Sequence, residues 1–236
     1  MVVPPRLANP DMTPTTPKAV RIWDLPTRLF HWALALTIVG SVVSAKIGGN
    51  AMVWHFRLGF LVLGLLVFRA VWGLIGGRWS RFASFIYSPL TILRYLRGRA
   101  RPGELLDVGH NPLGSLSVFA VLAILAVQVS TGLVADDEIA TVGPLNRFVS
   151  SATALLATGW HKTWGQWTLL ALVATHIGAI VFYVVVKKHT LVRPMLHGDK
   201  RLAPTTPAST DTLRTRLLAL VVALLSAALV ALLMRL

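Results

Sequence analysis

The sequence of 236 residues is 55% hydrophobic, carries a formal net charge of +14 and contains no cysteine. So apolar a chain falls outside the class of ordinary soluble domains and predicts an all-α integral membrane protein in contact with a lipid bilayer. Without cysteine, the chain cannot form disulfides, iron–sulfur clusters, thiolate zinc sites or a thioether-bound haem.

The chain begins with a stretch rich in proline and threonine, which predicts a flexible tail over residues 1–20. Five apolar stretches follow, each near the roughly 20 residues that a helix needs to cross about 30 Å of hydrocarbon. They cover residues 28–48, 53–76, 112–134, 160–187 and 213–234. The predicted organisation is a four-helix transmembrane domain over 21–200, a linker over 201–212 and an additional transmembrane helix over 213–234.

The distribution of lysine and arginine predicts the orientation of these spans. The connector over 77–111 contains six arginines, whereas the loop over 135–159 contains three acidic residues and one arginine. Because basic loops remain on the cytoplasmic side, we expect a multi-pass protein of the bacterial inner membrane with a cytoplasmic amino terminus. Orientation and anionic lipids account for the positive charge, so nucleic acid is not a predicted partner.

Four histidines lie within the apolar spans. His31 and His55 stand near the starts of the first and second spans, while the fourth span contains His161 and His176 about 22 Å apart along its axis. A lone histidine on an apolar helix is more often a hydrogen-bonded core residue, but four ionisable groups inside a membrane usually mark function. Since successive spans alternate in direction, we expect an outer pair, His55 with His161, and an inner pair, His31 with His176.

Two neutral imidazoles at one depth, without a third ligand, suit a planar tetrapyrrole better than a tetrahedral zinc ion. On a regular helix, His161 and His176 would point about 60° apart and therefore share a face. The sequence thus predicts two haem groups with two histidine ligands each. Four glycines could admit a macrocycle close to the backbone or could serve only helix packing: Gly59, Gly64, Gly165 and Gly178.

Three further residues are candidates for cofactor binding. Arg28 and Arg69 could pair with haem propionates, or they could be boundary arginines that reach the lipid headgroups. His110 opens the third span, where Asn111 can cap the helix and Pro112 fits its first turn. For His110 we expect propionate contact or quinone binding beside the inner haem; a purely structural role fits the sequence equally well.

Several segments together resemble the bacterial cytochrome b561 family, which includes the cytochrome b subunits of nickel–iron hydrogenases. The matching segments lie between about residues 20 and 200 and read RIWDLPTRLFHW, WHFRLGF, FRAVWG, GHNPLG, WHKTWGQWTLLALVATHIG and KKHTLVRPMLHGD. The resemblance implies a four-helix bundle that holds two b-type haems through His31, His55, His161 and His176. It also implies electron transfer between a quinone pool and a redox partner. The additional helix lies outside the resemblance.

The leading interpretation is therefore an electron carrier of the cytoplasmic membrane, whose partner is a periplasmic c-type cytochrome or a dehydrogenase or hydrogenase subunit. A second interpretation is a stand-alone superoxide:quinone oxidoreductase, which basic residues near the outer haem would serve: Lys46, Arg57, Arg147 and Lys162. A third is a metal permease with histidines along its path. The lack of acidic residues within the spans disfavours the permease.

Overall fold

Long helices dominate the computed structural model, which describes residues 16–101, 103–139 and 141–235. In chain order the helices are α1 (Leu25–Ile47), α2 (Met52–Ile75), α3 (Pro89–Leu96), α4 (Pro112–Val134), α5 (Ser151–Trp160), α6 (Gln166–Val185), α7 (Val192–His197) and α8 (Leu213–Leu233). Two short strands, β1 (Lys18–Arg21) and β2 (Asp199–Leu202), accompany the α-helices. Five candidate membrane spans among the described residues confirm the predicted all-α membrane bundle with an additional fifth helix.

Polar caps at the predicted positions begin several of these helices. Asn111 Oδ1 accepts a hydrogen bond from the backbone N–H of Gly114 at 2.7 Å, and Pro112 occupies the first turn of α4, as the sequence predicts. Thr212 begins α8 with a reciprocal capping arrangement to Thr215. These local signals explain why the first residues of α4 and α8 agree with the predicted spans to the residue.

The fourth span differs from its prediction. It was expected over 160–187, but the helical segment runs over Ser151–Val185 and comprises α5, a π-helical turn (His161–Gly165) and α6. The helix begins early because Ser150 caps it, its hydroxyl accepting from the N–H of Thr153 at 3.3 Å. His161 therefore lies ten residues inside the helix rather than at its start. The π-turn also removes the regular geometry on which the predicted angle of 60° depends.

The helices pack around an apolar core to which all four predicted core spans contribute. Buried Leu34 (α1), Val62 (α2), Leu125 (α4) and Leu169 (α6) belong to one contiguous cluster, and buried Val222 brings α8 into it. Many large apolar side chains on the outward faces are exposed, as expected for surfaces that contact lipid. The cluster lies within the bundle that positions the histidines.

The two strands join the start of the described chain to the segment between α7 and α8. Strand β1 pairs antiparallel with β2, and Arg21 forms ion pairs with Asp199 at 2.8 Å and Asp211 at 2.9 Å. We call this side of the bundle the strand end and the opposite side, with residues 135–139 and 141–150, the loop end. The predicted tail was to extend through residue 20, whereas β1 begins at Lys18; residues 1–15 lie outside the described residues.

The predicted linker over 201–212 is also built into the strand end. The Ser209 hydroxyl donates to the carbonyl of Ile22 at 2.7 Å and accepts from the backbone N–H of Trp79 at 3.2 Å. Ser209 is buried. This stretch thus connects the start of α1 with the segment that follows α2.

A buried carboxylate organises the same end of the bundle. Asp24 is fully buried and accepts hydrogen bonds from the Thr27 N–H at 2.8 Å, the Gly77 N–H at 3.1 Å and the Ser80 hydroxyl at 2.6 Å. The Trp72 indole N–H also donates to it, at 3.2 Å. Asp24 therefore joins the first turn of α1 to the last turn of α2 and to the loop beyond it.

Candidate functional site

Two pairs of histidines face each other across the bundle, at different heights. The rings of His55 and His161 have their centroids 5.9 Å apart, and those of His31 and His176 are 6.4 Å apart. With imidazole–metal bonds of about 2 Å on each side, two rings that hold one metal ion would lie about 6 Å apart. The structure thus brings together the two pairs that the sequence predicts, at a spacing that fits one metal ion within each.

Backbone carbonyls fix the rings of the His55–His161 pair. His55 Nδ1 donates to the carbonyl oxygen of Ser41 at 2.9 Å, and His161 Nδ1 donates to that of Gln128 at 2.9 Å. A proton held on Nδ1 leaves Nε2 with a free lone pair, the state in which neutral imidazole binds a metal. Both rings are therefore prepared to present Nε2 as a ligand.

A cavity of about 610 Å³ adjoins His55 and His161, within the range of roughly 300–1,000 Å³ that is typical of cofactor sites. Gly132 is part of its wall, and a side chain at this position would crowd the His161 ring, since a Cβ would lie 3.0 Å from Cε1. Lys46 and Lys162 also line the cavity. This space therefore combines two imidazoles that are able to bind a metal with cations suited to acidic groups of a cofactor.

The four glycines proposed for close approach divide into two kinds. A Cβ at Gly59 or Gly178 would meet no atom within 4 Å, so open space adjoins both positions. A Cβ at Gly64 would instead touch Val230 of α8, and one at Gly165 would collide with Gln128. Gly64 and Gly165 thus serve helix packing, Gly59 adjoins the cavity beside His55 and His161, and Gly178 is exposed on the surface of α6.

Arg69 is buried among aromatic rings on α2. Only 3% of its surface is exposed, its guanidinium lies 4.5 Å from the centroid of the Phe82 ring, and its NH1 atom is buried without a hydrogen-bond partner among the described residues. Arg28 is instead anchored, because its NH1 donates to the carbonyl of Leu196 at 2.6 Å. The Nε atom of Arg28 and the NH1 atom of Arg69 are both buried without a partner among the described residues, so each arginine keeps an unused donor.

His110 lies between two aromatic rings rather than opposite another histidine. Its ring centroid is 4.6 Å from that of Trp23 and 4.6 Å from that of Phe85. Its Nδ1 atom is buried without a partner among the described residues, as is Nδ1 of His31. Burial, followed by the nearby charge of Arg69, lowers the pKa of His110 to about 3, so this ring is neutral at physiological pH.

Sequence reasoning missed the residues that hold the loop-end pair. Gln128 was detectable in principle, since it is the one amide in the apolar sequence of α4. Thr131, whose hydroxyl lies 3.3 Å from His161 Nδ1, gives no comparable signal. Ser41 contacts His55 Nδ1 through its backbone carbonyl, which every residue possesses, and through its hydroxyl at 3.1 Å. Among the described residues, no three histidine or acidic side chains group as metal ligands.

Comparisons with known proteins give one consistent result. A family model described as prokaryotic cytochrome b561 matches residues 22–198. The probable Ni/Fe-hydrogenase 1 B-type cytochrome subunit of Escherichia coli K12 is 22% identical, over 75% of this chain and 88% of its own length. Probable Ni/Fe-hydrogenase B-type cytochrome subunits of Azotobacter vinelandii and Cupriavidus necator are 24% and 26% identical; the matches cover 76% and 77% of this chain and 88% and 86% of those proteins. No solved structure matches significantly.

Proposed function

The chain belongs to the prokaryotic cytochrome b561 family, and from that membership we propose that it transfers electrons across the bacterial inner membrane between a quinone and a periplasmic redox partner. The family makes it a b-type cytochrome with haem b as its cofactor. The observation that carries the proposal is the pairing of histidines at two heights of one bundle, since a charge must be relayed in steps to cross about 30 Å of hydrocarbon.

We assign two haem b groups, one to each histidine pair. Ring separations of 5.9 Å and 6.4 Å and the Nδ1 hydrogen bonds of His55 and His161 support this number. Bound haem supplies a one-electron Fe(III)/Fe(II) couple. Two imidazoles on each iron leave no open coordination position, which favours electron transfer over oxygen binding.

The remaining polar residues are suited to bind the haem propionates and a second ligand, a quinone. Arg69 NH1 and His110 Nδ1, both buried and unpaired, are suited to haem propionates or to a quinone carbonyl near the His31–His176 pair. Arg28 supports this region by tying α1 to α7. Lys46 and Lys162 would balance the propionates at the His55–His161 pair.

The partner we propose is the catalytic part of a nickel–iron hydrogenase, because the relatives named above are B-type cytochrome subunits of such enzymes. When the chain is purified with its native partners, hydrogen gas should reduce its haem, and the chain purified alone should show no such reduction. The haem absorbance measures both. If formate or a reduced c-type cytochrome, but not hydrogen, reduces the haem in the complete membrane preparation, the hydrogenase assignment is wrong.

A second candidate function is the oxidation of superoxide coupled to quinone reduction by the chain alone. Lys46 and Lys162 favour it, because two of the four basic residues expected to guide an anion line the cavity beside His55 and His161. Quinone reduction by purified chain and superoxide, in the absence of partners, would establish this function in place of the first.

For orientation, we propose that the strand end faces the cytoplasm and the loop end faces the periplasm. A reporter that works only in the cytoplasm should then be active when it is fused after Gly98, because the connector before α4 carries the arginines. A reporter that works only in the periplasm should be active when it is fused after Val134. Paired alkaline phosphatase and fluorescent protein fusions at the two sites measure this. The reverse pattern would place the His55–His161 pair on the cytoplasmic side.

A further inference from the structure

Gln128 is an unusual residue for the middle of a membrane bundle. Its side chain is 8% exposed on α4, a span with high mean hydropathy, and it faces the π-turn that contains His161. An amide buried among apolar side chains is unfavourable unless its hydrogen bonds are formed. Its position therefore calls for a specific explanation.

One residue holds both the backbone and the ring of His161. Gln128 Nε2 donates to the carbonyl oxygen of His161 at 3.2 Å, while His161 Nδ1 donates to the carbonyl oxygen of Gln128 at 2.9 Å. The side-chain contact fixes the main chain at His161, and the second contact fixes the rotation and the protonation of its ring. Removing the amide should therefore loosen His161 without removing the ligand.

The π-turn makes this support necessary. A π-turn pairs residues five apart instead of four, so it interrupts the regular hydrogen bonding of the helix and rotates the residues within it. Such turns are rare and frequently occur at functional sites. Since His161 is the first residue of this turn, the direction of its ring depends on how firmly the turn is held.

Gly165 closes the turn against the same amide. A Cβ at this position would lie 1.8 Å from Gln128 Oε1, so any side chain here must displace Gln128. The Gln128 amide thus contacts both ends of the π-turn, His161 and Gly165. Gln128 Oε1 is buried without a partner among the described residues, which indicates that the amide is kept for its donor.

We propose that Gln128 is a positioning residue that holds the π-turn and directs His161 Nε2 toward the metal between His55 and His161. This inference rests on the proposed haem at that pair. One side chain of α4 thus orients a metal ligand on the neighbouring helix.

The test compares Gln128→Met with the unaltered chain, both purified as full-length holoprotein. Methionine keeps the volume and suits the membrane but lacks the amide donor. We expect the electron paramagnetic resonance signal and the midpoint potential of one haem to shift, while the other haem and the total haem content remain unchanged. Ser226→Ala is the matched control, because Ser226 is a buried polar residue on α8 that bonds only within its own helix, to Val222. It should shift neither haem.

Gly165→Ala provides an independent arm, since its Cβ would displace the Gln128 amide without changing its chemistry, while the Trp160 indole, whose Nε1 would lie 2.9 Å away, also shifts. It should shift the same haem signal, and the combined Gly165→Ala and Gln128→Ala variant should show no more than the shift of Gln128→Ala alone. Unchanged signals in Gln128→Met, or strictly additive shifts in the double variant, would overturn the positioning role. If Gln128→Met does not accumulate, the Gly165→Ala signal decides. Absence of haem at this pair in the unaltered chain would instead refute the proposed function.

Discussion

Replacing His161 by alanine is expected to abolish the low-spin signal of one haem and to leave the other haem intact. The reason is the separation of the two pairs, because His161 faces His55 at 5.9 Å whereas His176 faces His31 at 6.4 Å. Removal of one imidazole leaves its iron with five ligands or releases the haem. The measurement is the low-temperature absorbance and paramagnetic resonance spectrum of the purified variant.

Three further alanine variants test the same pairing. His55→Ala should remove the same spectral component as His161→Ala, and His31→Ala should remove the component that His176→Ala removes. Each variant also loses packing, so the surviving component is more informative than total haem. The pairing would be refuted by His161→Ala and His31→Ala removing one common component, or by His110→Ala removing a haem that one of the four histidines leaves in place.

The largest loss of stability away from the haem ligands is expected for Asp24→Ala. This change leaves the buried donors of Thr27, Trp72, Gly77 and Ser80 without their acceptor. Unsatisfied buried donors cost about 1–3 kcal/mol each, so the destabilisation should be about 3 kcal/mol or more. The temperature at which the purified protein loses its haem absorbance measures this effect.

Asp107→Ala is the control for that variant. Asp107 is exposed and accepts one side-chain hydrogen bond, from the Tyr95 hydroxyl at 3.0 Å, so its removal should change stability by about 0.5 kcal/mol or less. Asp24→Asn should fall between the two, since it keeps one acceptor oxygen. Equal melting temperatures for Asp24→Ala and the unaltered protein would show that the strand end does not depend on this carboxylate.

The sequence was sufficient for the number of spans and for the pairing of the histidines, because hydropathy and alternating direction act at the scale of whole helices. Leu25–Ile47 and Pro112–Val134 lie close to or at their predicted limits for this reason. The start of the fourth span was missed, since the polar and aromatic residues around His161 interrupt the apolar pattern where the helix itself continues.

The contacts of individual rings were beyond prediction for a different reason. The shortest contact of His55 Nδ1 with Ser41 is to the backbone carbonyl, and the placement of His161 depends on a π-turn; neither feature has a residue signature. Likewise the placement of Ser209 in the strand end depends on contacts with residues far away in sequence. Such features follow from tertiary packing, which local patterns do not encode.

The pairing of β1 with β2 also constrains the order in which parts of the protein can fold during synthesis. Arg21 and Asp199 are 178 residues apart, and a ribosome that adds about 5–20 residues per second needs roughly 10–40 s to make that interval. During this time β1 has no partner strand, although α1 and α2 are already made and able to enter the membrane. The two strands can therefore pair only after all four histidines of the two pairs have been synthesised.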